Sequence, residues 1–386
     1  MDLSGIAPRS AGCEIVEGEC QDWRLTAACQ IRRQRINDNL LGDSRFCPTI
    51  RRTDTLRAFE EADLTERCRQ VVSAYSPGLL KRALGYLYAK ETKSSFEIEH
   101  INPNSTRTER FIAMLQLAEK EDFCEKSRLI DLQNRIVDPR FRESDYRKVQ
   151  NYVGESVAWQ REKVHFACPR PGDLESLMGG LIAAHSRMDE GGVPPVMHAA
   201  AAAYGFVFLH PFEDGNGRIH RFLIHNILAR RRFTPDGIMF PVSASMLKNP
   251  TEYDATLEAF SQPLMALVEY SLDEDGRMTV HGDTAGWYAY IDMTSQAEAL
   301  FRFIEQTIDT ELVEELSYLA KYDETKKAIQ EIVDMPDRQI DLFIRFCLQN
   351  NGQLSARKRD GHFDFLSDVE VARMEQAIQS SYGIRK

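Results

Sequence analysis

Residues 199–221 read AAAAAYGFVFLHPFEDGNGRIHR, and this stretch decides the fold. Its first half, up to Leu209, is apolar on nearly every side of a helix, which is typical of the buried centre of a helical bundle. His210 and Pro211 end that helix, and the glycines at 215 and 217 permit a tight turn into the next one. The stretch therefore predicts two packed helices joined by a short polar turn.

The polar turn carries groups suited to binding phosphate. Gly215, Asn216 and Gly217 let backbone N–H groups converge at the positive end of a helix, where anions bind. Arg218 and Arg221 lie three residues apart on one face of that helix, so both can hold further phosphates. The turn therefore predicts a site for a phosphate chain.

Two more side chains flank this anion site. Asp214 offers a hard carboxylate oxygen, through which Mg²⁺ can bridge to phosphates. His210 lies at the rim, where it can take a proton from an attacking hydroxyl. Together these residues predict phosphoryl or nucleotidyl transfer. A glycine turn followed by a solvated helix face explains each residue alone, but not the whole set in this order.

The composition of the chain limits the other functions that it can have. With 386 residues, 43% of them hydrophobic and 28% charged, we expect two or three packed units. The net charge of −11 argues against a chain-wide nucleic-acid surface. The longest apolar stretch, residues 199–209, is shorter than the roughly 20 residues that cross a bilayer. Scattered cysteines and a start without an apolar run predict free thiols in a cytoplasmic protein.

Helical periodicity dominates outside the polar turn, and one β signal interrupts it. Runs typical of strands at 149–153 and 164–166 predict a hairpin with a long connection. Residues 1–60 are expected to be a loose or irregular helical cap. Helices are predicted at 78–93, 196–209, 217–232, 251–270 and 288–321, and shorter ones within 336–382. One more helix is predicted to begin near Thr106, with Glu109 completing a capping box, and another to begin after Asp173. The predicted fold class is all-α with one small hairpin.

Residues His210 to Arg221 resemble the Fic motif, His-Pro-Phe-x-Asp/Glu-Gly-Asn-Gly-Arg-x-x-Arg, at every defining position. The resemblance implies an all-α, Fido-type helical bundle with a β-hairpin flap and helical extensions at both ends. It also implies transfer of AMP from ATP, with Mg²⁺, to a Ser, Thr or Tyr hydroxyl of a target protein docked on the flap. Doc-like relatives, which phosphorylate, carry Lys where this chain has Gly217, so the chain looks like the nucleotidyl-transferring branch.

The same resemblance assigns roles to individual residues. His210 would be the general base, and Asp214 would be the Mg²⁺ ligand. The implied nucleotide-binding residues are Asp214, Gly215, Asn216, Gly217, Arg218 and Arg221 in the motif, Val153 and Gly154 in the flap, and Tyr253 downstream. Asp254 stands where some relatives have a second tyrosine, which leaves the packing of the adenine open.

An upstream segment, Ser95-Phe96-Glu97-Ile98-Glu99-His100, resembles the family's inhibitory motif Ser/Thr-x-x-x-Glu-Gly/Asn. Ser95 and Glu99 would be regulatory: Glu99 would pair with Arg221 and deny that guanidinium to the terminal phosphate of ATP. His100 departs from Gly or Asn, so a different helix end is expected. The plainer alternative is a solvated glutamate on a surface helix.

Four regions summarise the predicted organisation of the chain. They are an N-terminal helical region at 1–90, an inhibitory helix segment at 91–104, a catalytic core at 130–270 with its flap at 146–168, and a C-terminal helical region at 285–386. The family often self-associates, so a homo-oligomer is also implied. Neither a membrane nor a nucleic acid is an expected partner.

Two alternative functions remain open at this stage. The first is the reverse reaction, removal of AMP from a modified target, which would use the same residues. The second is a nucleotide-responsive regulator with a DNA-binding C-terminal region, suggested by Arg345 and by the basic run at 357–359. The negative net charge favours a solvated charge run for those cations.

Overall fold

The computed structural model describes residues 29–31, 36–38, 40–158, 161–235 and 238–384. The elements before the flap are the strands β1 (Cys29–Ile31) and β2 (Ile36–Asp38) and the helices α1 (Asp54–Glu61), α2 (Leu64–Ser73), α3 (Pro77–Glu97), α4 (Ser105–Leu115) and α5 (Lys126–Ile136). The flap consists of β3 (Tyr152–Ala158) and β4 (Arg161–Ala167). It is followed by α6 (Pro171–Glu190), α7 (Pro195–Leu209), α8 (Asn216–Arg230), α9 (Val242–Lys248) and α10 (Pro250–Met265).

The remaining elements begin with a third hairpin of strands, β5 (Tyr270–Leu272) and β6 (Met278–Val280). The helices after it are α11 (Ala285–Ala289), α12 (Thr294–Gln306), α13 (Val313–Gln330), α14 (Asp337–Leu348), α15 (Ala356–His362) and α16 (Asp368–Tyr382), with a π-helical turn at Thr307–Leu312 between α12 and α13. The predicted all-α class is confirmed.

The apolar helix α7 lies at the centre of the larger unit, as its sequence predicts. All of its residues except Pro195 and Val207 are buried, and it packs against α6, α8 and α12. Because α7 has no polar face, every side of it needs a neighbouring element. This packing fixes the end of α7, and therefore His210, against the start of α8.

The described chain divides into two compact units. One contains the described residues up to 70 and those within 87–311, and the other contains residues 71–86 and the described residues from 312 onwards. The smaller unit has its own apolar core, in which Phe343 packs edge-on against Phe363 beside Ile340, Met374 and Ile378. The polar turn and the flap both belong to the larger unit.

The flap differs from its sequence prediction in the length of its strands. β3 and β4 pair antiparallel from Tyr152–Ala167 to Ala158–Arg161, so the connection is short and not long. A bulge interrupts the pairing between Val153 and Gly154. A Cβ atom at Gly154 would lie 2.7 Å from the carbonyl oxygen of Lys163, which explains the glycine at the bulge.

Other differences concern the N-terminal part and several helix ends. The described residues before α1 form short strands and irregular segments, where a helical cap was expected, and residues 1–28 lie outside the described part. Helix α4 begins at Ser105 and is capped by Asn104, whose side chain accepts from the Arg107 N–H, so the predicted Thr106 cap is wrong. None of the helices within the described ranges is long and apolar enough to span a membrane.

Candidate active site

His210 ends α7 in a left-handed backbone conformation, with φ 48° and ψ 57°. Its side chain is half-buried, and its Nδ1 lies 3.3 Å from the carbonyl oxygen of Val207. A carbonyl can only accept, so Nδ1 carries the proton and Nε2 keeps a free lone pair. Burial, reinforced by the positive charge of Arg147, lowers the pKa of His210 to about 4. His210 is therefore a neutral base at physiological pH.

The turn after His210 is closed by Asn216. Its side chain accepts from the Phe212 N–H at 3.1 Å and donates to the Phe212 carbonyl at 2.7 Å. Gly215 precedes α8 with φ 93°, a region that a side chain disfavours, and a Cβ there would lie 2.9 Å from Val137. The residues predicted to form the anion site thus build the N-terminus of α8, where the helix dipole attracts negative charge.

The two motif arginines are buried and share one carboxylate. Glu99 places Oε2 2.6 Å from the Nε of Arg218 and Oε1 2.8 Å from Nη2 of Arg221. The predicted pairing of Glu99 with Arg221 is present, and the contact with Arg218 adds to it. The spacing of the arginines on one helix face could have indicated this second contact.

Arg221 is held in place by several further groups. Its Nε donates to Ser95 Oγ at 2.9 Å, and Nη2 donates to the Ser95 carbonyl at 2.6 Å. Its Nη1 donates to the Tyr253 hydroxyl at 3.3 Å. Ser95 and Tyr253 are buried, so Tyr253 supports Arg221 here. Both predicted residues therefore converge on one guanidinium.

The end of α3 is what brings Glu99 to the arginines. The helix ends at Glu97, and His100 adopts φ 56° while the Ile101 N–H bonds back to the Phe96 carbonyl. This is the left-handed helix ending that glycine or asparagine usually supplies. His100 takes this conformation although it is neither glycine nor asparagine, because histidine adopts it more readily than most residues do.

Asp214 is the residue of the motif whose carboxylate could bind a metal ion. Its side chain is 40% exposed, and Oδ1 lies 2.6 Å from Nη2 of Arg218. No group of three or more His, Cys, Asp or Glu side chains in the described ranges could hold a metal ion. A single carboxylate fits Mg²⁺, which usually binds one or two carboxylates together with waters and substrate phosphates.

The flap residues lie on a strand that is tied to the motif turn. Val153 is exposed on β3, and the Asn151 side chain donates to the Glu213 carbonyl at 3.5 Å. Glu143, before the flap, accepts from the Glu213 N–H at 2.8 Å, and burial raises its pKa. Two side chains that precede the flap therefore bond to the main chain of the motif turn at Glu213.

Two important residues were missed by sequence reasoning. Arg147 is buried and donates to the His210 carbonyl at 2.8 Å. Glu91, buried in α3, lies 2.8 Å from Nε2 of His225 and accepts from the Ser243 N–H at 2.9 Å. Neither residue stands in a recognisable motif, and a charged residue in an apolar helical pattern was the only signal for Glu91.

Comparison with known proteins agrees with this geometry. Residues 123–228 match the family model described as Fic/DOC family. A curated relative from Culex quinquefasciatus, named Protein adenylyltransferase Fic, is 36% identical over 126 residues, which are 31% of this chain and 22% of that protein. A relative of the same name from Aedes aegypti is 34% identical over 122 residues, with the same two shares.

The aligned segment thus spans about a fifth of the length of these relatives. A solved structure of a Fic domain-containing signaling protein from Bacteroides thetaiotaomicron overlaps 67% of this chain and 94% of its own, at 18% identity and a TM-score of 0.47. The complete motif, its arrangement between α7 and α8, and the family match agree: residues 123–228 of this chain are a Fic/DOC-family domain.

Proposed function

We propose that the chain is a protein adenylyltransferase, which transfers AMP from ATP to a hydroxyl side chain of a target protein. The observation that carries the proposal is the neutral His210, whose Nδ1 bonds to the Val207 carbonyl and leaves Nε2 free, in the turn that leads to the anion-attracting start of α8. The curated relatives named protein adenylyltransferase support the choice of AMP as the transferred group. Gly217 supports it as well, since the phosphorylating branch of the family carries Lys at this position.

In the proposed reaction, Nε2 of His210 takes the proton from the target hydroxyl. The hydroxyl oxygen attacks the α-phosphorus of ATP, the bond between the α-phosphorus and the bridging oxygen breaks, and pyrophosphate leaves. Arg218 and Arg221 would bind the phosphates, and the N-terminus of α8 would stabilise the negative charge. Asp214 would hold the Mg²⁺ that neutralises part of that charge.

We further propose that Glu99 restrains this activity. In the structure its carboxylate occupies both guanidinium groups that the phosphates need. Hydrogen bonds to charged groups contribute roughly 1.5–3 kcal/mol each, so ATP would have to displace a substantial interaction to bind productively. The restrained form would therefore bind the terminal phosphates poorly, and loss of the Glu99 side chain would release the site.

The test compares purified wild type, Glu99→Gly and Glu99→Gly/His210→Ala after incubation with ATP and Mg²⁺, by intact mass. We expect self-modification by one AMP in Glu99→Gly, little in wild type and none in the double variant. Glu97→Gly is the matched control, because Glu97 is an exposed glutamate at the end of the same helix. Equal modification of wild type and Glu99→Gly would contradict the restraint.

The absence of an adduct in Glu99→Gly, with a panel of candidate target proteins present, would contradict AMP transfer. The reverse reaction has its own signature. A target that has been modified beforehand would then release AMP with the wild type but not with Glu99→Gly.

A further inference from the structure

Arg147 is buried, and each of its three guanidinium nitrogens donates a hydrogen bond to a main-chain oxygen. Nε donates to the His210 carbonyl at 2.8 Å, Nη1 to the Val149 carbonyl at 2.8 Å, and Nη2 to the Pro169 carbonyl at 2.6 Å. Its own N–H donates to the Pro211 carbonyl at 2.8 Å. A buried charge is costly unless it is well bonded, so this set of contacts holds Arg147 in one geometry.

The three accepting carbonyls come from three separate segments. Val149 lies just before β3, Pro169 lies just after β4, and His210 ends α7. One side chain therefore joins both ends of the hairpin to the residue that is proposed to remove the proton. A displacement of the hairpin would change the position of His210, and the reverse also holds.

His210 needs such support because its backbone is strained. A left-handed conformation costs a residue other than glycine about 1–2 kcal/mol. The bonds from Arg147 to the carbonyls of His210 and Pro211 fix the two peptide groups that follow this strained residue. The nearby positive charge also helps to keep the imidazole neutral, since it contributes to the lowered pKa of His210.

We infer that Arg147 is a positioning residue, which holds His210 and the β3–β4 hairpin in a single geometry for attack by a docked hydroxyl. The reaction itself rests on the proposed function, whereas the coupling of hairpin to histidine rests on the contacts alone. A plain packing role for Arg147 would change stability but would not selectively change the chemical step.

The test uses three substitutions in the Glu99→Gly background. Arg147→Lys keeps the charge but cannot reach three carbonyls, and Arg147→Met removes both charge and hydrogen bonds. Arg142→Met is the matched control, because Arg142 is an exposed arginine of the same segment that donates to the Asn134 carbonyl. Self-AMPylation is measured against ATP concentration and pH, with the fraction of ATP-binding molecules determined in parallel.

We expect both Arg147 variants to lose about 10- to 100-fold in kcat, because a small displacement of a catalytic group has effects of this size. The KM for ATP should stay near that of Arg142→Met, since Arg147 does not bond to the motif arginines. The acid limb of the pH profile should stay at the same pH in Arg147→Lys, which keeps the positive charge. It should move to higher pH in Arg147→Met, which removes that charge. A kcat per ATP-binding molecule equal to the control in both variants would overturn the inference.

Two further measurements keep the outcome decisive. If Arg147→Met does not fold, the kcat of Arg147→Lys decides by the same criterion. If the Glu99→Gly parent makes no adduct, the proposed function fails separately, and hydrogen exchange of the hairpin amides in Arg147→Lys decides instead. Faster exchange at residues 152–158 and 161–167 together with 210–217, relative to Arg142→Met, supports the coupling, and unchanged exchange overturns it.

Discussion

A Cβ atom placed on Gly217 would lie 2.5 Å from the Oε1 of Glu99. Gly217, the second residue of α8, therefore leaves no room for a methyl group while the Glu99 carboxylate keeps its present position. Arg221 Nη1 is the next atom, at 3.3 Å. A side chain at residue 217 would have to displace this carboxylate.

Gly217→Ala should show strong coupling to Glu99. Alanine in a helix is normally more stable than glycine by about 0.5–1 kcal/mol, so Gly217→Ala should stabilise a chain that already carries Glu99→Gly. With Glu99 present, the methyl group has to push the carboxylate away, and that gain should disappear or reverse. Urea unfolding of the four proteins of this double-mutant cycle measures the difference, and additive effects would contradict the close packing.

The pH dependence of AMP transfer should reflect the low pKa of His210. The imidazole is the base only when neutral, and its pKa of about 4 lies below the ordinary value of about 6.5. The rate in Glu99→Gly should therefore stay level as the pH falls through about 6.5 and should decline only near about pH 4. Rates measured with short incubations, after the fold has been checked at each pH, test this. An acid limb centred near 6.5 would disagree.

Glu91→Ala should loosen the helix that carries Ser95 and that Glu99 follows. Glu91 is buried, lies 2.8 Å from Nε2 of His225, and accepts from the N–H and the hydroxyl of Ser243. Removing an acceptor leaves its buried donors unsatisfied, which costs roughly 1–3 kcal/mol. We expect a free energy of unfolding lower by about this amount, together with more self-AMPylation than in wild type.

Glu97→Ala is the control for the Glu91 experiment, because Glu97 ends the same helix but is exposed. It should leave both stability and modification near the wild-type values. A Glu91→Ala protein that is less stable but no more active than wild type would mean that Glu91 supports the fold without holding Glu99 in place.

The basic run near α15 should not confer specific DNA binding. Lys358 Nζ lies 4.1 Å from the ring centre of Phe346, and Arg359 pairs with Asp368. Lys358 and Arg359 are therefore already engaged in contacts within the protein, and these are cations that would be needed to bind the phosphates of DNA. Fluorescence anisotropy with duplex DNA should give a Kd no tighter than about 10⁻⁶ M at physiological salt, unchanged by Lys358→Ala. Tight, salt-dependent binding that this substitution abolishes would restore the DNA-binding alternative.

Much of the larger unit could be predicted because its determinants are contiguous in sequence. The apolar run of α7 and the glycines after His210 specify a buried helix, a turn and a second helix through local rules alone. These features depend on neighbours along the chain, which a single sequence displays directly. The contact of Glu99 with Arg221 joins residues 122 positions apart, and it was expected only because residues 95–100 resemble the family's inhibitory motif.

The features that were missed depend on atoms far apart in sequence. Arg147 contacts the carbonyls of Pro169 and His210, which any residue type could supply, so no side-chain pattern marks them. Glu91 meets Ser243 across 152 positions. The flap strands were predicted at 149–153 and 164–166 because the small and polar residues at 154–156 and 161–163 show no alternation of apolar residues.

His100 would give the proposed restraint by Glu99 an adjustable strength. Its left-handed backbone follows directly after Glu99, and a residue with a Cβ tolerates that dihedral less well than glycine. The strain in the His100 backbone therefore offsets part of the interaction energy between the Glu99 carboxylate and the two arginines. Different single substitutions at position 100 would then strengthen or weaken the hold of Glu99 on the two arginines by different amounts. None of them would alter a group that is proposed to contact the nucleotide.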